Sequence, residues 1–278
     1  MTPLEFTVAA FAASLAAGFF GSLLGLGGGI IVIPALTILL HVDIRYAIGA
    51  SIVSVIATSS GATAAYVRDR MANLRVAMFL ETATTSGALT GAFLAGVLGG
   101  RWLTLGFGTA VVLSAVGMMR GTLWQGAAPP SPDPWADRLR LHGSYHDDAA
   151  GEEIRYRVFG TKGGLLLMYA AGAVSGLLGI GAGALKVPAM DLAMRLPIKV
   201  SSATSNLMIG VTAAASAGVY FARGDIDPFV TAPVASGVVL GALLGSRLLP
   251  RVRSSAIRLV FVALLLWIGG QMIGRAIR

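Results

Sequence analysis

A glycine-rich block set in apolar surroundings occurs twice in this chain, and no other feature limits its fold as strongly. Ala17-Gly18-Phe19-Phe20-Gly21-Ser22-Leu23-Leu24-Gly25-Leu26-Gly27-Gly28-Gly29 aligns with Ala171-Gly172-Ala173-Val174-Ser175-Gly176-Leu177-Leu178-Gly179-Ile180-Gly181-Ala182-Gly183, a shift of 154 residues. Without a gap, the same shift pairs Pro34 with Pro188, Ile44 with Ile198, Ser51 with Ser205, Tyr66 with Tyr220, Gly87 with Gly241 and Gly91 with Gly245. Chance matching of small residues could produce one block but would not hold register from Ala17 to Gly91, so the chain reads as an internal duplication.

The apolar segments around these blocks run over 6–40, 47–67, 76–98 and 103–119 in the first half, and 164–194, 201–222, 229–249 and 259–273 in the second. Most are close to the ~20 residues that cross a hydrocarbon core as helix. Charged residues make up 12% of the chain, about half the roughly 25% usual in soluble domains. Hydrophobic residues make up 55% and the mean hydropathy is +0.78. The fold class is therefore an all-α polytopic membrane protein with the lipid bilayer as its solvent. The N-terminus, Met1-Thr2-Pro3-Leu4-Glu5, has no basic region and no cleavage site follows it, so the first apolar run reads as a retained membrane element.

That first run is too long for one crossing, and Gly25 to Gly29 with Pro34 behind them prevent a smooth helix. Split in two, the first run of each half brings the count to about five membrane helical elements per repeat. Residues 1–120 form the N-terminal membrane repeat, 121–162 a polar linker and 163–278 the C-terminal membrane repeat. The linker's charges nearly cancel and aliphatic residues are sparse. It reads as a solvated connector, with a short strand over 153–159, rather than a folded domain.

Loop charge sets the relative direction of the repeats. The loop from Arg68 to Arg75 is basic, whereas in its counterpart Arg223 is offset by Asp225 and Asp227. Near Arg101 the sense reverses, because the counterpart carries Arg251, Arg253 and Arg258. Equivalent loops then lie on opposite faces, which makes the repeats inverted, with about fourteen basic residues on the linker side and about five opposite. The linker is cytoplasmic in that arrangement. The net charge of +8 is thus a topology signal. The arginines do not form the aromatic-interleaved patch of a nucleic-acid binder, so no nucleic acid is expected.

Glycine breaks at equivalent places in inverted repeats point to a midplane binding site, because a broken helix exposes N–H groups and a positive dipole end. The candidates for holding an anion are Gly27, Gly28 and Gly29 in one half and Gly181, Ala182 and Gly183 in the other. Close helix packing is the competing explanation for these glycines. Lys186 follows the second break in an apolar stretch where its repeat counterpart is Val32, and it should face water, a carboxylate or an anionic substrate. Ser51 and Ser205 are repeat equivalents, with Thr204 and Asn206 beside the second. They suit sulfonyl or carboxylate oxygens or, equally, bonds between helices. Glu81, an acid inside an apolar run, is the candidate for proton coupling. Asp43, Arg45, Arg195 and Lys199 read as loop charges.

Other classes find little support. With no cysteine and three histidines, neither a metal site nor a thiolate nucleophile is expected. The Walker-type phosphate loop is absent, and the glycine runs do not lie in the βαβ context of a dinucleotide site. The acids and histidines of the apolar segments are too dispersed for an enzyme, and no cofactor is expected.

The motifs G-x-x-x-G-x-G-G-G (Gly21 to Gly29) and S-G-L-L-G-I-G-A-G (Ser175 to Gly183), each followed by proline, together with the duplicated layout and central polar loop, resemble the TauE/SafE sulfite exporter family, also called the 4-toluene sulfonate uptake permeases. The resemblance covers nearly the whole chain outside the linker; Ala182 departs from the three consecutive glycines of the first copy. It implies a multi-pass transporter of the bacterial inner membrane for small sulfur-containing or organic anions such as sulfite, sulfoacetate or related sulfonates. The expected function is secondary transport by alternating access, with the anion at the broken-helix N-termini near the midplane. An anion channel using the same breaks as a filter is the alternative. The expected partners are a small anionic substrate and the bilayer, with homo-oligomerisation left open.

The inverted arrangement makes a direct prediction. In this cysteine-free chain, single cysteines introduced near Arg70 and near Gly224 should react with an impermeant maleimide from opposite sides of the membrane; labelling from the same side would exclude it.

Overall fold

The computed structural model describes residues 2–124, 132–148, 151–179, 181, 183–252 and 254–277. The first half contains helices α1 (Pro3–Leu24), α2 (Gly29–Pro34, continued by a π-helical turn, Ala35–Leu39), α3 (Ile44–Arg68), α4 (Leu74–Ala95) and α5 (Gly100–Trp124). A short helix α6 (Pro134–Arg138) and an antiparallel hairpin, β1 (Gly143–Asp147) with β2 (Glu152–Tyr156), follow. The second half contains α7 (Thr161–Leu178), α8 (Gly183–Ala193), α9 (Ile198–Ala222), α10 (Pro228–Leu248) and α11 (Ser254–Ile277). Five of these helices, α1, α3, α7, α9 and α10, are long and apolar enough to cross a membrane. The 11 residues of α8 rise only ~17 Å, well short of a ~30 Å hydrocarbon core.

Local chemistry explains many helix ends. Thr2 and Glu5 form a reciprocal capping box at α1, with Pro3 in the first turn. Asn73 and Asp227, equivalent across the duplication, cap α4 and α10 by accepting from Val76 N–H and Phe229 N–H. α1 stops at Gly25 (φ +73°) and α7 at Gly179 (φ +67°), both left-handed, a conformation that costs a glycine little. Val8, Met78, Phe93, Leu113, Leu166 and Trp267 point outward and are largely exposed, as the lipid-facing side of membrane helices requires.

Each half's first long helix packs along the other half's fourth, α1 on α10 and α7 on α4. α3 packs on α9, and α5 pairs with α11. The contacts recur at the same shift as the sequence. A Cβ on Gly18 would meet the backbone of Val238, and one on Gly172 that of Thr84. A Cβ on Gly241 would strike the Leu15 carbonyl, and one on Gly87 the Tyr169 carbonyl. Backbones this close leave room only for hydrogen, the small-residue packing through which membrane helices gain dispersion contact.

The linker departs from the solvated connector expected of it. The strand lies at Glu152–Tyr156 and has a partner, Gly143–Asp147. Leu141, Tyr145 and Val158 are buried beneath the hairpin, which is seated on the end of the helix bundle. Asn73 donates through Nδ2 to the Leu141 carbonyl (2.8 Å) and the Tyr156 hydroxyl (3.0 Å). Phe159 N–H donates to the Met194 carbonyl at 3.2 Å. Lys199 is likewise no loop charge: it is fully buried in the first turn of α9, 2.7 Å from the Asp147 carboxylate. Alternation along a five-residue strand buries one face even where aliphatics are few, and the polar atoms there are satisfied by bundle residues far away in sequence.

Gly241→Ala should therefore destabilise the protein by about 1–3 kcal/mol through overpacking. Gly218→Ala, at a position whose added Cβ meets nothing within 4 Å, should change stability by less than about 0.5 kcal/mol. Thermal melting of the detergent-purified variants checks the contrast.

Candidate functional site

The two glycine turns meet. A Cβ on Gly183, the first residue of α8, would collide with the Gly25 carbonyl and Leu26, so the second turn rests on the first. Gly27 (φ +71°) and Gly181 (φ +71°) each lie against Val55 and Ile209, one residue from each central helix, which are themselves repeat equivalents. Gly28 precedes α2 in the left-handed region, with no side chain capping that helix, and Gly29 begins it. Ala182 lies outside the described residues.

The paired serines reach across the halves. Ser51 Oγ donates to the Gly179 carbonyl and Ser205 Oγ to the Gly25 carbonyl, both at 2.8 Å. The tyrosines act within each half: Tyr66 donates to the Ser22 carbonyl (2.9 Å) and Tyr220 to the Gly176 carbonyl (2.7 Å). Carbonyls at the ends of α1 and α7 therefore have side-chain donors in the packed interior. Asn206 Nδ2 donates to Ser22 (2.6 Å) and Ser202 (3.1 Å) carbonyls, and its Oδ1 is buried with no hydrogen-bond partner. Thr204, in the same turn of α9, accepts from the Asn73 N–H at 3.0 Å and so serves the linker end of the bundle.

Charge enters from one side. Lys186 has no exposed surface, and its Nζ lies 3.6 Å from Glu81 Oε2, a side chain itself only 14% exposed. Thr212 joins the two: its hydroxyl accepts from Lys186 and donates to Glu81 Oε1 at 2.6 Å. Thr85 donates to the same carboxylate oxygen at 3.0 Å, whereas Oε2 has no hydrogen-bond partner. The repeat equivalents of Lys186, Glu81 and Thr212 are Val32, Ala235 and Thr58, so the duplication supplies the hydroxyl twice and the ion pair once. Lys186 and Glu81, singled out separately in the sequence, thus come together. Thr212, Thr85, Ser59, which bonds the Asn206 carbonyl at 2.6 Å, and the two tyrosines were missed. The tyrosines were visible as repeated positions. Thr212 had the signal of a hydroxyl repeated at Thr58, but nothing in the sequence set it beside a lysine on another helix.

A family model described as Sulfite exporter TauE/SafE matches residues 10–272, which is nearly the whole chain and includes both glycine turns. The chain belongs to the TauE/SafE family. It is a multi-pass membrane transporter, not an enzyme. It is similar to the probable membrane transporter protein YunE of Bacillus subtilis (strain 168), with 28% identity over 266 residues, 93% of this chain and 94% of that protein. It is also similar to a probable membrane transporter protein of Xylella fastidiosa (strain 9a5c), with 29% identity over 240 residues, 86% and 83% of the two chains. No solved structure matches the chain.

The buried pair makes a prediction about stability. Lys186→Met or Glu81→Leu alone leaves an uncompensated charge and should cost about 3–5 kcal/mol, whereas the double substitution should cost less than either. Melting curves of the three variants in detergent give the comparison.

Proposed function

We propose that this TauE/SafE transporter carries small sulfur-containing or organic anions across the bacterial inner membrane by alternating access. In this reading the two glycine turns meet near the midplane of inverted repeats and the linker is cytoplasmic. The observation that carries it is Lys186: a fully buried ammonium one turn beyond a glycine break, held by Thr212 and by Glu81 from the opposite half. A charge this far from water is costly and rare in membrane segments except where it meets a substrate or an ion.

Several features support the arrangement. Five helical elements per half, an odd number, reverse direction between repeats. The α3–α4 loop lies with Asn73 beside the linker, whereas its counterpart at Asp225 lies against Gly49, near the start of α3. Ser51, Ser205 and Asn206 hold the turns in place, so their contribution to substrate binding is to set where the α2 and α8 N-termini point. Gly27, Gly28, Gly29, Gly181 and Gly183 let those N-termini approach one another. Asn206 Oδ1 leaves an acceptor for a protonated group or water.

Glu81 gives the site a coupling logic. The carboxylate stands where an anionic substrate would lie against Lys186, so a substrate anion takes its place as Glu81 accepts a proton. The loaded site then has the same net charge as the empty one. Without such coupling, an inside-negative potential favours export by ~2.3 kcal/mol per charge per 100 mV.

Flux into proteoliposomes, compared across sulfite, sulfoacetate, taurine and simple carboxylates, tests the proposal. Saturable flux capable of counterflow is expected, and unitary currents would indicate a channel instead. Lys186→Ala should lower flux of the preferred anion at least tenfold. Glu81→Gln should retain anion exchange but lose its pH dependence. Unchanged flux in Lys186→Ala would overturn the role of Lys186.

A further inference from the structure

The chain has three lysines, Lys162, Lys186 and Lys199, and two of them are fully buried. Among the described residues the buried charged side chains are Lys186, Lys199 and Asp147, and no arginine joins them. Each buried ammonium faces a carboxylate delivered by a different part of the chain. For Lys186 it is Glu81 of α4, and for Lys199 it is Asp147, the last residue of β1, at 2.7 Å. Tyr145 donates to the other Asp147 oxygen at 3.4 Å. Burial, with the Asp147 charge beside it, pushes the Tyr145 hydroxyl up to about 12, so it remains a donor.

Lys199 also stands at the head of a continuous polar track. From Lys199 to Asn206 every residue of α9 is buried, five of them hydroxyl or amide side chains. The track leads to the glycine turns, where Ser202 donates to the Leu24 carbonyl (3.3 Å) and Ser205 to the Gly25 carbonyl. Above Lys199 the hairpin is held by Asn73 Nδ2 and by Arg75, which donates to the Arg140 carbonyl at 3.0 Å. Asp147 therefore provides an anionic contact on an element that these hydrogen bonds and the buried Leu141, Tyr145 and Val158 seat on the bundle.

We propose that Lys199 forms a second anion site, at the linker-side mouth of the path to the glycine turns, for small oxyanions, and that Asp147 occupies it as a tethered carboxylate while that mouth is closed. A carboxylate and a diffusing oxyanion present the same charge and the same acceptor oxygens to the ammonium, so one replaces the other as the hairpin lifts. The placement on a path rests on the transport function proposed above, while the site itself is read without transport.

The test uses thiol labelling of the detergent-purified full chain. Ala203 lies one helical turn from Lys199 on the same face of α9 and is buried. In an Ala203→Cys background, the anionic reagent 2-sulfonatoethyl methanethiosulfonate and its cationic trimethylammonium analogue should both react slowly. Adding Asp147→Ala should speed the anionic reagent at least tenfold and the cationic one far less, and inorganic sulfate should slow the anionic reaction. Lys199→Met in that background should abolish the preference. Asp147→Asn, which keeps the shape and removes the charge, should give the same ranking and decides the matter if Asp147→Ala does not fold.

Equal acceleration of both reagents would mean that Asp147 only fills space, and no acceleration would mean that the hairpin does not cover the site. Either result overturns the proposal. Labelling does not depend on flux, so absence of anion transport would remove the function proposed above and leave this outcome readable. Equal labelling rates in a protein that transports would remove only the second site.

Discussion

Hydrocarbon offers no hydrogen bonds, so a helix that ends inside it must place its freed carbonyls against donors of the protein itself. Here α1 and α7 both end in glycine turns within the bundle, and the carbonyls around those ends are taken by Ser205, Asn206 and Tyr66 in one case and by Ser51 and Tyr220 in the other. All of these donors lie on α3 or α9, which pack against each other. Because Ser51 and Ser205 each serve the opposite half, neither repeat satisfies its own turn alone. The exchange of α1 onto α10 and α7 onto α4 has the same consequence.

Against that near-symmetric frame the charge is one-sided. Lys186, Glu81 and Thr212 stand opposite Val32, Ala235 and Thr58. A duplicated ion pair would double the cost of desolvation, whereas a single one pays it once. The second buried lysine, Lys199, follows the same chemistry with the linker as the source of its carboxylate. Lysine suits both places because a compact ammonium is met by a single carboxylate oxygen or hydroxyl, whereas a guanidinium calls for a bidentate partner.

Much of the frame was legible before any coordinates. The shift from Gly25 to Gly179 also relates Ser51 to Ser205 and Tyr66 to Tyr220, and each pair makes the same bond in both halves. The site was legible as a set of residues but not as contacts. Lys186 and Glu81 stood out because ionisable groups are conspicuous in apolar runs. Thr212 did not, since a threonine in a membrane helix is commonplace and its meaning depends on the lysine beside it. The linker was misjudged for a related reason: a count of aliphatics misses that Tyr145 and Val158 need only one buried face of a hairpin, and that Asp147 finds its partner at Lys199.

The sequence by itself determined the membrane class, the duplication, the positions of the two helix ends and the few ionisable groups in apolar surroundings. Periodicity, glycine content and charge scarcity are local properties that the bilayer acts on directly. The tertiary structure alone decided which half satisfies which turn, that Glu81 faces Lys186 through Thr212, and that Asp147 covers Lys199. Those pairings join residues between 26 and more than 180 positions apart, and they are selected by the requirement that polar groups buried in the bundle find partners in the packed whole.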